Sequence, residues 1–201
     1  MGYTTDFYGE FNLTPSLTQE QTDYINKFSD TRRMKRDVNK LMELYKGEGG
    51  YPGRTGTPEE IYGPDGCYFV GGTGSAGQDH DSSIIDYNRP PGLPTYEQTR
   101  NLPFNEMWDN EQKLIKEGKC QPGLWCQWVV EGDNNTLAWD GNEKFYEYTA
   151  WLEYLITNFF EPWGVKVNGE VEFQGEDRDD RGKIVVTDNE VQVLNAHIEY
   201  R

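Results

Sequence analysis

Two clusters in this 201-residue sequence could do chemistry. Arg32-Arg33-Met34-Lys35-Arg36 sets four cations into five positions of a chain whose formal net charge is −16. Guanidinium groups gathered in this way grip phosphate or carboxylate through paired hydrogen bonds. The same cluster also suits the C-terminus of a helix and pairing with the protein's own acids. The second cluster, Asp79-His80-Asp81 followed by Asp86, Asn88 and Arg89, crowds carboxylates and an imidazole beside a glycine-rich stretch. Oxygen ligands there could hold Mg²⁺ or Ca²⁺, or one carboxylate could act as a general base. The spacing matches no known ligand pattern and Asp is a routine turn residue, so no metal site is assigned. The two clusters are expected to converge on one mixed-charge site, either an internal ion-pair network or an anion site.

Within the second region, Gly72-Thr73-Gly74-Ser75-Ala76-Gly77 matches the glycine fingerprint of dinucleotide-binding folds. That fingerprint works only where it joins a buried strand to a helix whose free N–H groups hold a pyrophosphate. Here the following residues, Gln78 to Ser83, are polar, and the apolar piece Ile84-Ile85 is soon stopped by Pro90-Pro91. A crossover helix does not fit, so no cofactor is expected. Cys67, Cys120 and Cys126 form no CxxC pair, and with only two histidines no zinc site can be assembled; three reduced thiols are expected. Trp125 and Trp128 would face opposite sides of a strand, so Trp125 beside Gln127 is either a stacking or interface platform or is covered by another segment.

The elements that must position these residues follow from periodicity. Tyr3 to Leu13 reads as a strand, and Thr18-x-x-Gln21 is a capping box that starts a helix with Leu17, Tyr24, Ile25 and Phe28 on one face. A second helical piece is expected over Val38 to Tyr45. Lys46 to Tyr96 is rich in glycine and proline and reads as a long irregular excursion. A short helix is expected around Glu106 to Glu117. Two strands then flank the turn residues Gly132 to Asn135, and the stripe Phe145, Tyr148, Trp151, Leu152, Leu155, Ile156 and Phe159 predicts one long helix before Pro162. Val171 and Phe173 alternate with outward Glu170 and Glu172, and Lys183–Thr187 pairs with Glu190–Leu194 across Asp188-Asn189. The order predicts one α+β domain over 1–201: a two-layer sandwich with an antiparallel-rich sheet and helices on one face, ferredoxin-like with an extra C-terminal hairpin. Residues 32–123 form a long insertion between the first helix and the second strand.

Acidity combined with 6 Trp, 13 Tyr and 9 Phe indicates a folded chain rather than an acidic tail. Sixteen net negative charges repel phosphate backbones, so direct nucleic-acid binding is not expected and a basic partner is. No apolar run approaches the roughly 18 to 20 residues of a membrane span, and the first residues lack the pattern of a signal peptide. A cytoplasmic setting without membrane contact is expected.

Several phrases taken together resemble a family of hypothetical proteins of bacteria and bacteriophages: Thr4-Thr5-Asp6-Phe7 with Gly9, Thr31 to Arg36, Gly77-Gln78-Asp79, Asp86 to Pro91, Gln121 to Trp128, and Val167 to Val171 leading to Gln174-Gly175-Glu176-Asp177. Against that pattern Gly92 to Cys120 looks like an insertion. The resemblance implies a prokaryotic or phage setting and brings no catalytic residue.

Two functions fit. The first is an acidic binding or regulatory protein acting on a basic or nucleic-acid-binding protein partner, such as a phage-borne inhibitor of a host nucleic-acid enzyme. Residues 124–201 concentrate the charge, with 16 acidic against six basic side chains. The second is a small enzyme or sensor for a phosphorylated or otherwise anionic metabolite. It would use Arg32, Arg33 and Arg89 to grip the anion and Asp79 or Asp86 to act on it; Arg36, Asn88, Trp125 and Gln127 are further candidate binding residues. No nucleophile, triad or metal motif supports chemistry, so the first is preferred.

Overall fold

The computed structural model describes residues 2–72 and 82–196. In chain order the elements are strand β1 (Thr5–Thr14), helix α1 (Gln19–Asp30), β2 (Lys35–Arg36), α2 (Val38–Tyr45), α3 (Pro58–Tyr62), β3 (Ile84–Asp86), α4 (Tyr96–Thr99) and α5 (Phe104–Lys116). They continue with β4 (Trp128–Glu131), β5 (Thr136–Trp139), α6 (Tyr148–Leu155), β6 (Lys166–Gly175), β7 (Arg181–Thr187) and β8 (Glu190–Asn195). The class is mixed α+β, and the chain divides into two units, 1–22 with 127–201, and 23–126.

The first unit is built on a six-stranded sheet in the order β4-β5-β1-β6-β7-β8, antiparallel at every pairing. β1 and β6 pair along ten residues, from Thr5↔Gly175 to Thr14↔Lys166. Phe7, Phe11 and Leu13 of β1 and Val167, Val171 and Phe173 of β6 point into the core, while Asp6, Tyr8, Glu10, Glu170 and Glu172 stay exposed. This is the period-2 alternation expected of a half-buried sheet. Two glycines let the pair close. Gly9 (φ 108°) and Gly169 (φ 138°) lie two rungs apart on opposite strands, and a Cβ on either would stand 2.8 Å or 2.9 Å from the facing carbonyl oxygen. β7 and β8 turn over Asp188 and Asn189, both at positive φ as a two-residue hairpin requires.

α6 covers the apolar face of this sheet. Tyr148 packs edge-on against Phe7 (4.9 Å between centroids) and against Phe173 (5.7 Å), and the Trp128 indole N–H donates to the Tyr148 carbonyl at 2.8 Å. The helix is shorter than its stripe. Lys144 and Glu147 take left-handed conformations, so Phe145 packs beside Trp128 as a separate anchor before the helix begins, and Ile156–Phe160 winds into a π-helical turn.

In the second unit the glycine-rich excursion holds more regular structure than its composition suggests. α2 begins at an Asp37 cap accepting from the Lys40 amide, and α3 at a Thr57/Glu60 capping box with Pro58 in the first turn. Leu41, Tyr62 and Phe69 form a buried cluster, with Val38, Met42, Tyr45 and Ile61 packed against it. The capping box anticipated at Thr18 is present, with both reciprocal bonds to Gln21. Cys67, Cys120 and Cys126 are buried and none of the three is in a disulfide. Among the described residues no helix is long and apolar enough to cross a membrane.

Leu155 is fully buried on α6. Leu155→Ala is expected to cost about 2 to 5 kcal/mol in denaturant melts, and a loss below about 0.5 kcal/mol would show that the stripe is not core.

Candidate functional site

The basic cluster and the Asp86–Arg89 segment meet through the backbone. β2 pairs with β3, with Lys35 opposite Asp86, and the Lys35 amide donates to the Arg89 carbonyl at 2.9 Å. Arg32 stacks 4.2 Å from the centre of the Tyr87 ring, and its guanidinium donates to the Tyr87 carbonyl (3.3 Å) and the Asn88 side chain (3.5 Å).

The guanidinium groups behind it face inward. Arg33 is 2 % exposed and Arg36 1 %. Arg33 donates to the Phe69 carbonyl at 2.6 Å, to the Cys67 carbonyl, and to the Gln121 side-chain oxygen at 3.1 Å, with the Phe28 ring 3.9 Å below its plane. The Gln121 amide in turn donates to the same Cys67 carbonyl at 2.6 Å. Arg36 reaches the Ser83 hydroxyl at 3.4 Å and lies 4.6 Å from the Phe69 ring centre. A planar cation with five donors suits a knot of carbonyl oxygens from loops that make no ladder of their own.

Asp86, Arg89 and Lys35 are also engaged. Asp86 accepts from the Asn88 and Tyr96 amides at 3.0 and 3.2 Å, the geometry of a turn-holding carboxylate. Arg89 pairs with Glu111 at 2.5 Å, both side chains largely buried, and Lys35 pairs with Asp65 at 2.5 Å while donating to the Leu93 carbonyl. Asp79, like Asp81, His80 and most of the Gly72–Gly77 fingerprint, lies outside the described residues. Trp125 precedes β4 rather than belonging to it, so strand alternation does not govern its side chain; it is 36 % exposed. Gln127 belongs to the other unit, where its amide donates to the Glu143 carbonyl (3.0 Å) and its oxygen accepts from the Trp139 indole (3.0 Å).

A different surface is open. On the outer face of the six-stranded sheet Tyr8, Glu172, Lys183 and Leu194 stand opposite one another in a row across β1, β6, β7 and β8. A groove of about 550 Å³ follows this row, lined also by Gln174, Arg181 and Asn195. Tyr8 is 61 % exposed. Lys183 bridges Glu170 at 2.9 Å and Glu172 at 3.1 Å, and these bonds hold its ammonium above the usual lysine range. In the next row Glu10 faces Glu170 directly. The outward acids are legible in the alternation of β6, but Tyr8 and Leu194 become a surface only once the strand order is known. α5 separately exposes Phe104 stacked on Trp108 at 6.5 Å.

Against known proteins, the chain matches no family model, no curated protein and no solved structure.

Arg33→Ala would take its donor from the buried Phe69 carbonyl and from the Gln121 side-chain oxygen, leaving the Cys67 carbonyl to Gln121 alone, so a loss of about 2 to 5 kcal/mol is expected in denaturant melts. Arg32→Ala, at the surface, should change stability by less than about 1 kcal/mol. Equal effects would refute the structural role of Arg33. A second test uses Tyr68, whose phenol is pushed up to about 12, chiefly by burial. The unfolded chain ionises this group first, near the ordinary value of 10.0, so stability falls as pH rises from about 10 to 12. Tyr68→Phe should remove about 2 kcal/mol of that alkaline loss. Parallel alkaline unfolding curves for the two proteins would show otherwise.

Proposed function

We propose that this chain is an acidic binding protein whose open sheet face docks a basic protein surface. The observation that carries the reading is the pair Glu10 and Glu170, held directly opposite on the exposed side of the two central strands. Like charges so placed destabilise a sheet, and a cation brought by a partner relieves them. Lys183 supplies that relief to Glu170 and Glu172. Glu10 has no such cation among the described residues. Tyr8 beside them offers a ring for a guanidinium or an apolar side chain.

A basic surface that ordinarily meets nucleic acid is the natural complement, and the biological outcome of this reading is inhibition of a host nucleic-acid enzyme in the cytoplasm of a bacterium or phage-infected cell. The setting rests on resemblance to the family of hypothetical bacterial and phage proteins. The acid-rich composition supports docking of a basic surface. A metabolite enzyme or sensor is less favoured, because Arg33 and Arg36 are committed to interior oxygens and Arg89 to Glu111. We also read the first architecture as a ferredoxin-like two-layer sandwich. The chain order β1, α1, β4, β5, α6, β6, the strand order β4-β5-β1-β6 and the extra hairpin β7–β8 support that reading.

The test is titration of a fluorescent arginine-rich peptide at low and at high salt, with wild type and with Glu10→Lys/Glu170→Lys. Binding to wild type should weaken with salt, and the double variant should bind at least about tenfold more weakly at an unchanged melting temperature. Equal binding by both proteins would refute docking on this face.

A further inference from the structure

The strand order leaves β8 at the edge of the sheet, paired with β7 alone among the described residues. The two-residue turn at Asp188-Asn189 decides which of its backbone groups are free. Thr187 and Glu190 flank that turn as a hydrogen-bonded pair, so Gln192 and Leu194 also bond to β7, and the Ala196 amide continues the series by donating to the Arg181 carbonyl at 2.8 Å. By the alternation of an antiparallel ladder, the N–H and C=O groups of Val191, Val193 and Asn195 therefore point away from the sheet.

Sheet edges are usually blunted by proline, lysine, a bulge or short length. At the other edge β4 is short, with four residues. β8 runs six residues in unbroken register, with neither Pro nor Lys, and exposes Val193 (40 %) and Leu194 (46 %). Leu194 closes the outer-face row that begins at Tyr8, so the groove of about 550 Å³ runs up to this edge.

Charge selects what can add there. Residues 170–195 carry eight acidic against three basic side chains. Asp188 and Glu190 stand at one end of β8, and the loop holding Glu176, Asp177, Asp179 and Asp180 stands at the other. A second copy would bring another sixteen net negative charges to the same edge. We infer that β8 accepts an extended basic segment of a protein partner as an added strand, with outer-face lysine or arginine stems lying beside Leu194 and further cations facing the acids at the two ends of β8. Main-chain bonds supply affinity in this mode, and alternate side chains supply selectivity. The inference rests on the docking reading above and names the form of the partner.

The test uses the full chain, labelled for amide NMR, and a capped hexapeptide alternating lysine and valine. Proline on an edge removes only an outward donor, so Val193→Pro should keep the fold while blocking the added strand. Saturable shifts at Val191, Val193 and Asn195, with affinity at least about tenfold weaker for Val193→Pro, are expected. If that variant unfolds, a copy of the peptide N-methylated at every amide gives the same discrimination, since it keeps the charges and cannot pair. Binding that survives both changes, with shifts confined to Tyr8, Glu10 and Glu170, would overturn the edge inference and leave the docking face standing. Absence of binding by the unmethylated peptide to wild type would overturn it as well. Concentration-dependent dimers of wild type alone, abolished by Val193→Pro, would assign the edge to a second copy and overturn the basic partner.

Discussion

The first unit depends on the pairing of β1 with β6. Ten facing residue pairs join the beginning of the chain to its last third, and β5 and β7 add to the outer sides of that ribbon. Such distant pairing has a large loop-closure entropy, which the continuous core face of Phe7, Phe11, Val167, Val171 and Phe173 must offset. The ribbon can form only where neither Gly9 nor Gly169 carries a side chain, because each Cβ would meet the carbonyl of the other strand.

The second unit solves a different problem. Its loops have few ladders, so their carbonyls need donors from side chains. Arg33 ties Cys67, Phe69 and Gln121 together, Lys35 ties Asp65 to Leu93, and Arg89 ties Glu111. These cations act where a sheet or a larger apolar core would otherwise hold the chain. Interior use of the cluster explains how a strongly acidic protein can keep its densest basic segment away from solvent: the guanidinium groups complete the backbone's hydrogen bonding rather than display charge.

How much of this was legible follows from which interactions are local. The alternation around Val171 and Phe173, the Thr18 capping box, α2 at Val38–Tyr45 and the Asp188-Asn189 turn depend on neighbouring residues and are visible in sequence. The approach of the basic cluster to Asp86–Arg89 is also expected, since clustered guanidinium groups in an acidic chain find carboxylates. Its character was not readable, because a buried arginine bonded to carbonyls and an exposed arginine awaiting phosphate have the same local sequence. Only the partners, Phe69, Cys67 and Gln121, at separations of 34 to 88 residues, distinguish them. The N-terminal trimming of α6 was hidden for a similar reason: the apolar period runs through Phe145, and the left-handed Glu147 that ends the helix carries no glycine or proline to announce it.

The open face and the free edge of the same sheet share one electrostatic logic. An unblunted strand with exposed valine and leucine invites pairing with any extended chain, including another copy. Acids at both ends of β8 and along the outer rows raise the cost of that self-association. On the proposed reading they lower it for a basic segment, whose approach would be steered at long range by the acids at the two ends of β8. At physiological ionic strength, where the Debye length is about 8 Å, salt screens both effects together. On the proposed reading acidity would do two jobs through the same side chains, disfavouring self-pairing at the edge and favouring a basic segment, and the half of the chain that carries β8 is the more acidic one.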